Sequence, residues 1–289
     1  MTSRNLFVII DPTQKTQPAL VRAADIAGQM GAHLHIFCCD YVEDEDLVKF
    51  KSRSDAKRQT LKKAKALVDK LVAPLRKQGL SLSTEVIWNA GWYQAATHAS
   101  AREAADLIIK SSYPRKGRQH PLRERSDFYL IRNSTCPILL TRSGVSHQLN
   151  KVLAAVTLEK DYKKEHALLN NRIVANAKRI SRGTGAELHL VAALSGTANI
   201  PKLLDMHLDK EQELKTEQEM IAERFGVDLD KVHVKKGAAD KVISKVAKDL
   251  DAQVLILGTK ARKGLKGALL GNTAEKVLDR LQIDIQVIN

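Results

Sequence analysis

Ala252–Ile288 reads AQVLILGTKARKGLKGALLGNTAEKVLDRLQIDIQVI. The apolar run Val254–Leu257 shows no alternation and stops at Gly258. A loop with Gly264 and Gly267 then leads to Gly271-Asn272-Thr273-Ala274-Glu275, after which a helical pattern begins and a last apolar run, Ile285–Ile288, closes the chain. A strand apolar over consecutive residues is buried on both faces, which places it in a parallel sheet covered by helices. Ligands of such sheets bind beyond the carboxyl ends of the strands, so the loop 258–272 is expected at a ligand edge. Asn272 or Thr273 is expected to cap the following helix, with Glu275 as the capping-box acid. Free N–H groups at that helix start, with Lys260, Arg262, Lys263 and Lys266 upstream, suit an anion. The same residues also suit a plain turn with a wetted surface.

The spacing of Gly258, Ala261, Gly271 and Asn272 resembles the nucleotide loop of the universal stress protein family, whose motif is Gly, two residues, Gly, nine residues, then Gly followed by Ser or Thr. Two of the four positions differ here, alanine for the second glycine and asparagine for the hydroxyl. The wording Gly-Asn-Thr-Ala-Glu-Lys-Val is similar to tandem members of that family. The resemblance implies ATP as a cofactor through Gly258, Ala261, Gly271, Asn272 and Thr273. For Asp11, at the carboxyl end of the first strand, it implies contact with an adenine and ribose. From the residues alone, Asp11 serves equally well in a turn or helix cap.

The chain has 289 residues, enough for two domains of about 145 residues each. Its 44% hydrophobic content supports buried cores without an apolar membrane span. The opening MTSRNLFVII meets Asp11 after a short apolar run and reads as a strand, not a signal. Cys38, Cys39 and Cys136 form neither a disulfide framework nor a metal-spaced set, which fits a cytoplasmic protein. The formal charge of +14, from 47 Lys and Arg against 33 Asp and Glu, raises the prior for phosphate-bearing partners. Aromatics at 4% and the lack of a nucleic-acid motif leave nonspecific nucleic-acid binding as a minor reading.

In chain order, Leu6–Ile10 reads as a strand, Pro18–Met30 closed by Gly31 as a helix, and Ala32–Cys38 as a strand. The charged segment Asp46–Gln78 reads as one long helix ended by Gly79, and Ser81–Ile87 as a strand. Trp88 and Trp92 flank the next turn, where they either cover a pocket or pack a loop. Asp106–Ile109 is the fourth strand, Asp127–Arg132 a short helix and Cys136–Leu140 the fifth strand. After a polar linker, 141–150, the pattern starts again at Lys151, and this internal repeat gives two domains, 1–143 and 149–289. The expected fold is α/β: two tandem domains, each an open parallel five-stranded sheet with helices on both faces. The strand order 3-2-1-4-5 is implied by the resemblance.

Equal spacing from the strands sets Lys110 against Gly258, Tyr113 against Ala261, Arg123 against Gly271 and Glu124 against Asn272, and Asp11 against Thr157. The first domain thus has the acid with a degenerate phosphate loop, and the second a partly retained loop without the acid. The ATP motif is incomplete in both, and a phosphate-bearing ligand is expected to favour the second. No nucleophile and base stand at motif spacing, so no catalytic residue is assigned and an enzyme is not expected. No metal site is expected either, since nothing in the sequence brings His33 and His35, or His189, His207 and His233, together with further ligands.

The resemblance implies a non-enzymatic cytoplasmic stress-response protein supporting survival under starvation, growth arrest or DNA damage, acting by ligand or protein binding. The alternative is an ATP-binding module with weak hydrolysis in the C-terminal domain. Family members pair through the last strand, so an intramolecular pseudo-dimer is implied, with a homodimer or other stress proteins as further partners and no membrane.

Overall fold

The computed structural model describes residues 4–112, 121–142, 148–158, 164–194, 210–259 and 271–288. The chain divides into two compact units, Met1–His147 and Gln148–Asn289, and each is an α/β layer structure in its own right.

The first unit runs β1 (Asn5–Ile10), α1 (Pro18–Met30), β2 (His33–Asp40), α2 (Arg53–Lys77), β3 (Leu82–Trp88), α3 (Trp92–Arg102), β4 (Leu107–Ser111), α4 (Pro121–Asn133) and β5 (Ile138–Thr141). Its strands are parallel in the order 3-2-1-4-5, because every connection carries a helix back across the sheet. Leu6, Val8 and Ile10 meet Ala19, Leu20 and Ala23 of α1 and Ala64, Val68 and Val72 of α2 in one buried cluster. The alternate residues Phe7, Ile9 and Phe37 are also buried and point to the other face, where α3 packs on β2 and against α4. Burial on both faces explains the unbroken apolar runs.

The second unit repeats the order: β6 (Lys151–Ala155), α5 (Lys164–Thr184), β7 (Glu187–Leu194), α6 (Lys210–Phe225), β8 (Val232–Lys236), α7 (Ala239–Asp249), β9 (Val254–Gly258), α8 (Asn272–Arg280) and β10 (Asp284–Ile288). Its sheet is parallel in the order 10-9-6-7-8, the same topology. Val152, Ala154 and Val156 pack with Ile173, Val174 and Ala177 of α5 and Ile221 and Phe225 of α6.

Three expectations change. The segment expected as one helix, Asp46–Gln78, is a 3-10 turn, Asp44–Lys49, followed by α2. Ser52 caps α2 by accepting the Asp55 amide (3.1 Å), while Asp55 Oδ2 accepts from the amide of Lys51, the residue before the cap (3.4 Å), and this helix start separates the two pieces. The helix expected at Asp127–Arg132 begins earlier, at Pro121. In α8 the cap is Gly271, not Asn272 or Thr273; Asn272 is the first helical residue.

Candidate functional site

The carboxyl end of the first sheet holds a cavity of about 240 Å³. Ile9, Ile10 and Asp11 reach it from β1, Cys39 and Asp40 from β2, Asn89 from the turn after β3, Trp92 from the start of α3, and Lys110 and Ser111 from β4. Crossovers of one hand place the ends of β1, β2 and β4 side by side with helices leaving above and below, and that splaying opens the crevice.

Asp11 sits on this rim in a double role. Its Oδ1 accepts the Thr13 amide at 2.9 Å and the Thr13 hydroxyl at 2.6 Å, a turn that fixes the carboxylate at the cavity mouth. Gln17 holds the same residue by its main chain: its Oε1 accepts the Asp11 amide (3.2 Å) and its Nε2 donates to the Asp11 carbonyl (2.7 Å). Asn170 does the same to Thr157 in the second unit, accepting its amide at 3.0 Å and donating to its carbonyl at 2.8 Å. Asp11 and Thr157 therefore do correspond, as expected from spacing.

The phosphate-loop correspondence shifts by one residue. The Asn5 amide donates to Asp106 Oδ2 and the Lys151 amide to Gln253 Oε1, while the Asp106 and Gln253 amides return to the carbonyls of Asn5 and Lys151. Counting five residues on from Asp106 and from Gln253 sets Ser111, not Lys110, against Gly258. The two residues then act differently. Ser111 Oγ accepts the Ala19 amide at 3.1 Å, satisfying a free N–H in the first turn of α1. At Gly258 a Cβ would lie 2.6 Å from Leu169 Cδ2 and 2.9 Å from Ile173 Cδ1, so close packing of α5 requires this glycine. Gly271 is required by its backbone instead, with φ +116, a region side chains disfavour. Thr273 is exposed on the first turn of α8. Ala261, with Lys260, Arg262, Lys263 and Lys266, lies outside the described residues, as do Tyr113, Pro114 and His207.

Lys110 points into the cavity region, where Nζ lies 2.6 Å from Asp127 Oδ1 and 5.8 Å from the centre of the Trp92 ring. Ser112 Oγ donates to the other Asp127 oxygen at 2.7 Å. Trp92 thus lines the cavity, whereas Trp88 packs on Tyr41 with ring centres 4.8 Å apart; each of the two roles open to the tryptophans is filled by one of them. Burial, with the nearby Asp11 charge, raises the Asp40 carboxyl above its ordinary value. Burial pushes the Cys38 thiol up to about 12 and those of Cys39 and Cys136 to about 11, so these thiols stay protonated and are poor nucleophiles.

Two histidine clusters occupy the opposite-face positions of the sheets. His35 lies with Glu85 and Glu103, and His189 stacks on His233 with Nδ1 and Nε2 3.2 Å apart. The sequence names His35, His189 and His233 but not their neighbours, because the members come from separate strands and, for Glu103, from the end of a helix.

Among the described residues, no helix is long and apolar enough to cross a membrane. The family model described as the universal stress protein family matches residues 2–142 and 169–289. The universal stress protein E homolog of Haemophilus influenzae is 27% identical, covering 99% of this chain and 97% of its own. Universal stress protein E of Escherichia coli (strain K12) is 28% identical over 99% and 93%. Among solved structures, a functionally unknown protein from Pseudomonas aeruginosa PAO1 is similar with a TM-score of 0.78 and 30% identity, over 99% of this chain and 92% of that one. With both sheets in the same order and both halves matched by one family model, the chain belongs to the universal stress protein family as a tandem, two-domain member.

Proposed function

We propose that this protein is a non-catalytic stress-response regulator that acts by binding a small ligand at the carboxyl edge of its first sheet. The observation that carries the reading is the cavity bounded by Asp11, Asp40, Trp92 and Lys110. At about 240 Å³ it falls below the roughly 300–1,000 Å³ typical of sites for drug-sized ligands, so it suits a nucleobase- or nucleoside-sized molecule better than a whole triphosphate. Raised thiols and a carboxylate engaged in a turn favour binding over covalent chemistry. By its similarity to universal stress protein E, the setting we assign is a cytoplasmic response to starvation, growth arrest or DNA damage.

A second reading is an ATP-binding module in the second unit, through Gly258, Ala261, Gly271, Asn272 and Thr273. The left-handed backbone of Gly271 at the first turn of α8 favours it, since such a turn presents N–H groups to phosphate. The +14 charge adds only salt-sensitive, sequence-independent attraction to nucleic acid.

Calorimetry on the full chain separates the two. The first reading expects adenosine to bind about as tightly as ATP with Mg²⁺, with loss on Trp92→Ala and none on Gly271→Val. ATP binding much tighter than adenosine, lost on Gly271→Val in a protein that still melts cooperatively, replaces it with the second. No saturable binding of either ligand removes both nucleotide readings.

A further inference from the structure

We propose that His35, Glu85 and Glu103 form a site for a divalent transition-metal ion of the zinc class on the α3 face of the first unit. One ligand atom from each residue lies within 4.8 Å of the other two. Bonds of about 2.0–2.2 Å bring ligand atoms to about 3–4 Å apart, so small rotations of the two glutamates close the set.

The imidazole is the fixed member. His35 is 7% exposed and stacks on Phe7 with ring centres 5.3 Å apart and planes 16° apart. Its Nε2 lies 3.2 Å from Glu85 Oε2, and its Nδ1 lies 2.9 Å from Ser83 Oγ and 3.7 Å from Glu103 Oε2, so Glu103 must swing along the ring edge to meet an ion held at Nε2. Ser83 Oγ is also 2.9 Å from His33 Nε2, and His33 Nδ1 is 2.8 Å from Ser81 Oγ. Without an ion, Nε2–H donates to Glu85 Oε2 and Nδ1 accepts from Ser83; when an ion takes Nε2 the chain of protons reverses, Nδ1–H donating to Ser83, Ser83 to His33 Nε2 and His33 Nδ1–H to Ser81. A partner that fixes the tautomer of a ligating histidine is the usual outer support of a metal site.

The carboxylates are the mobile members. Glu85 comes from β3, and Glu103 is the residue that ends α3. Arg102 now spans them, with NH2 2.5 Å from Glu85 Oε2 and Nε 3.1 Å from Glu103 Oε1. Its side chain is 57% exposed and can swing into water without burying charge. Two carboxylates beside a single guanidinium leave one negative charge over; a divalent ion balances both. One imidazole with two carboxylates selects zinc, cobalt or nickel over magnesium or calcium, which prefer all-oxygen sets.

The second unit carries the control. By strand register His189 and His233 stand where His35 and Glu85 do. The residue ending α7 is Leu250, where α3 ends in Glu103, so the third ligand is missing and one ion per chain is expected.

The test is calorimetric titration of the full chain with ZnCl₂ in a non-chelating buffer, with the visible absorption of bound Co²⁺ as a second readout of the ligand set. One equivalent of zinc is expected to bind. Arg102→Ala, which removes the competing cation, should tighten binding by about tenfold, and Glu103→Gln should weaken it by about tenfold or more. His189→Ala should leave it unchanged. Glu103 is a surface residue, so Glu103→Gln keeps the test decisive even where His35→Gln fails to fold. No saturable binding by wild type or Arg102→Ala overturns the proposal. So does binding that survives Glu103→Gln unchanged, or that is lost with His189→Ala.

Discussion

Lys110 Nζ stands 2.6 Å from Asp127 Oδ1, and the two side chains are only 10% and 15% exposed. An ammonium and a carboxylate so nearly withdrawn from water hold each other in place, and removing either strands the other. Lys110→Met is expected to cost about 3 kcal/mol in urea unfolding. Lys110→Met with Asp127→Asn should recover at least half of that loss, because no naked charge is left. A single variant as stable as wild type would show that water reaches the pair.

Gly258→Ala sets a methyl group into Leu169 and Ile173. Overpacking of this kind is expected to cost about 1–3 kcal/mol, read as a fall in urea midpoint at constant slope. Adding Leu169→Ala should restore part of it, a non-additivity that direct contact requires. At the matching position, Ser111→Ala loses the bond to the Ala19 amide and should cost about 1 kcal/mol with no such coupling.

His233 titrates below its ordinary value of 6.5, because burial and the neighbouring His189 and Lys235 disfavour its charged form. Below pH 6.5 the unfolded chain takes up a proton here that the folded chain resists, so stability falls as pH drops from 6.5 toward the folded value. His189 and Lys235 oppose its charge and Asp230 favours it, while Glu187 reaches His189. Urea unfolding between pH 7.5 and 5.5, read by circular dichroism, should show His233→Gln losing less stability than wild type. Parallel pH curves for the two proteins would refute this.

Asp40 works in the opposite direction. Its carboxyl is raised by burial, so the folded chain holds the proton more readily, and stability from this group falls as pH rises through the carboxylate range. Asp40→Asn can keep the acceptor for the Tyr41 amide, 2.9 Å from Oδ1. At pH 7 it should raise stability by less than about 1 kcal/mol, an increase that vanishes when the melt is repeated at acid pH.

The duplication and the parallel α/β class are legible in the repeated strand–helix rhythm, whereas the strand order follows from the family resemblance and not from the residues. Gly31, Gly79 and Gly226 all take positive φ just past a helix, and the central strands β1 and β9 are apolar over consecutive residues. The break before α2 was missed because Ser52 and Asp55 cap inside a charged run whose apolar stripe continues on either side. The one-residue offset at Ser111 is invisible in the apolar runs, whose ends vary, and shows only in the side chains of Asp106 and Gln253 that lock the strands. The Gly258 motif was legible, but its physical reason was not: the residues that demand it, Leu169 and Ile173, are nearly ninety positions away. Likewise Glu103 and Glu85 become neighbours of His35 only after α3 has packed on β2.

The amide grips of Gln17 on Asp11 and of Asn170 on Thr157 tie the end of the first strand of each unit to its first helix through a side chain, from the N-cap of α1 and from the second turn of α5. The loops themselves are nearly equal, seven residues (11–17) and eight (156–163), yet the gripping amide stands just before α1 in one unit and seven residues into α5 in the other. The place of the gripping side chain is therefore the free variable: an amide at the cap or in the second turn satisfies the same backbone N–H and C=O, and the sheet edge does not move. A tandem protein with this device can exchange the residues that open each first helix while both first strands end at the same place.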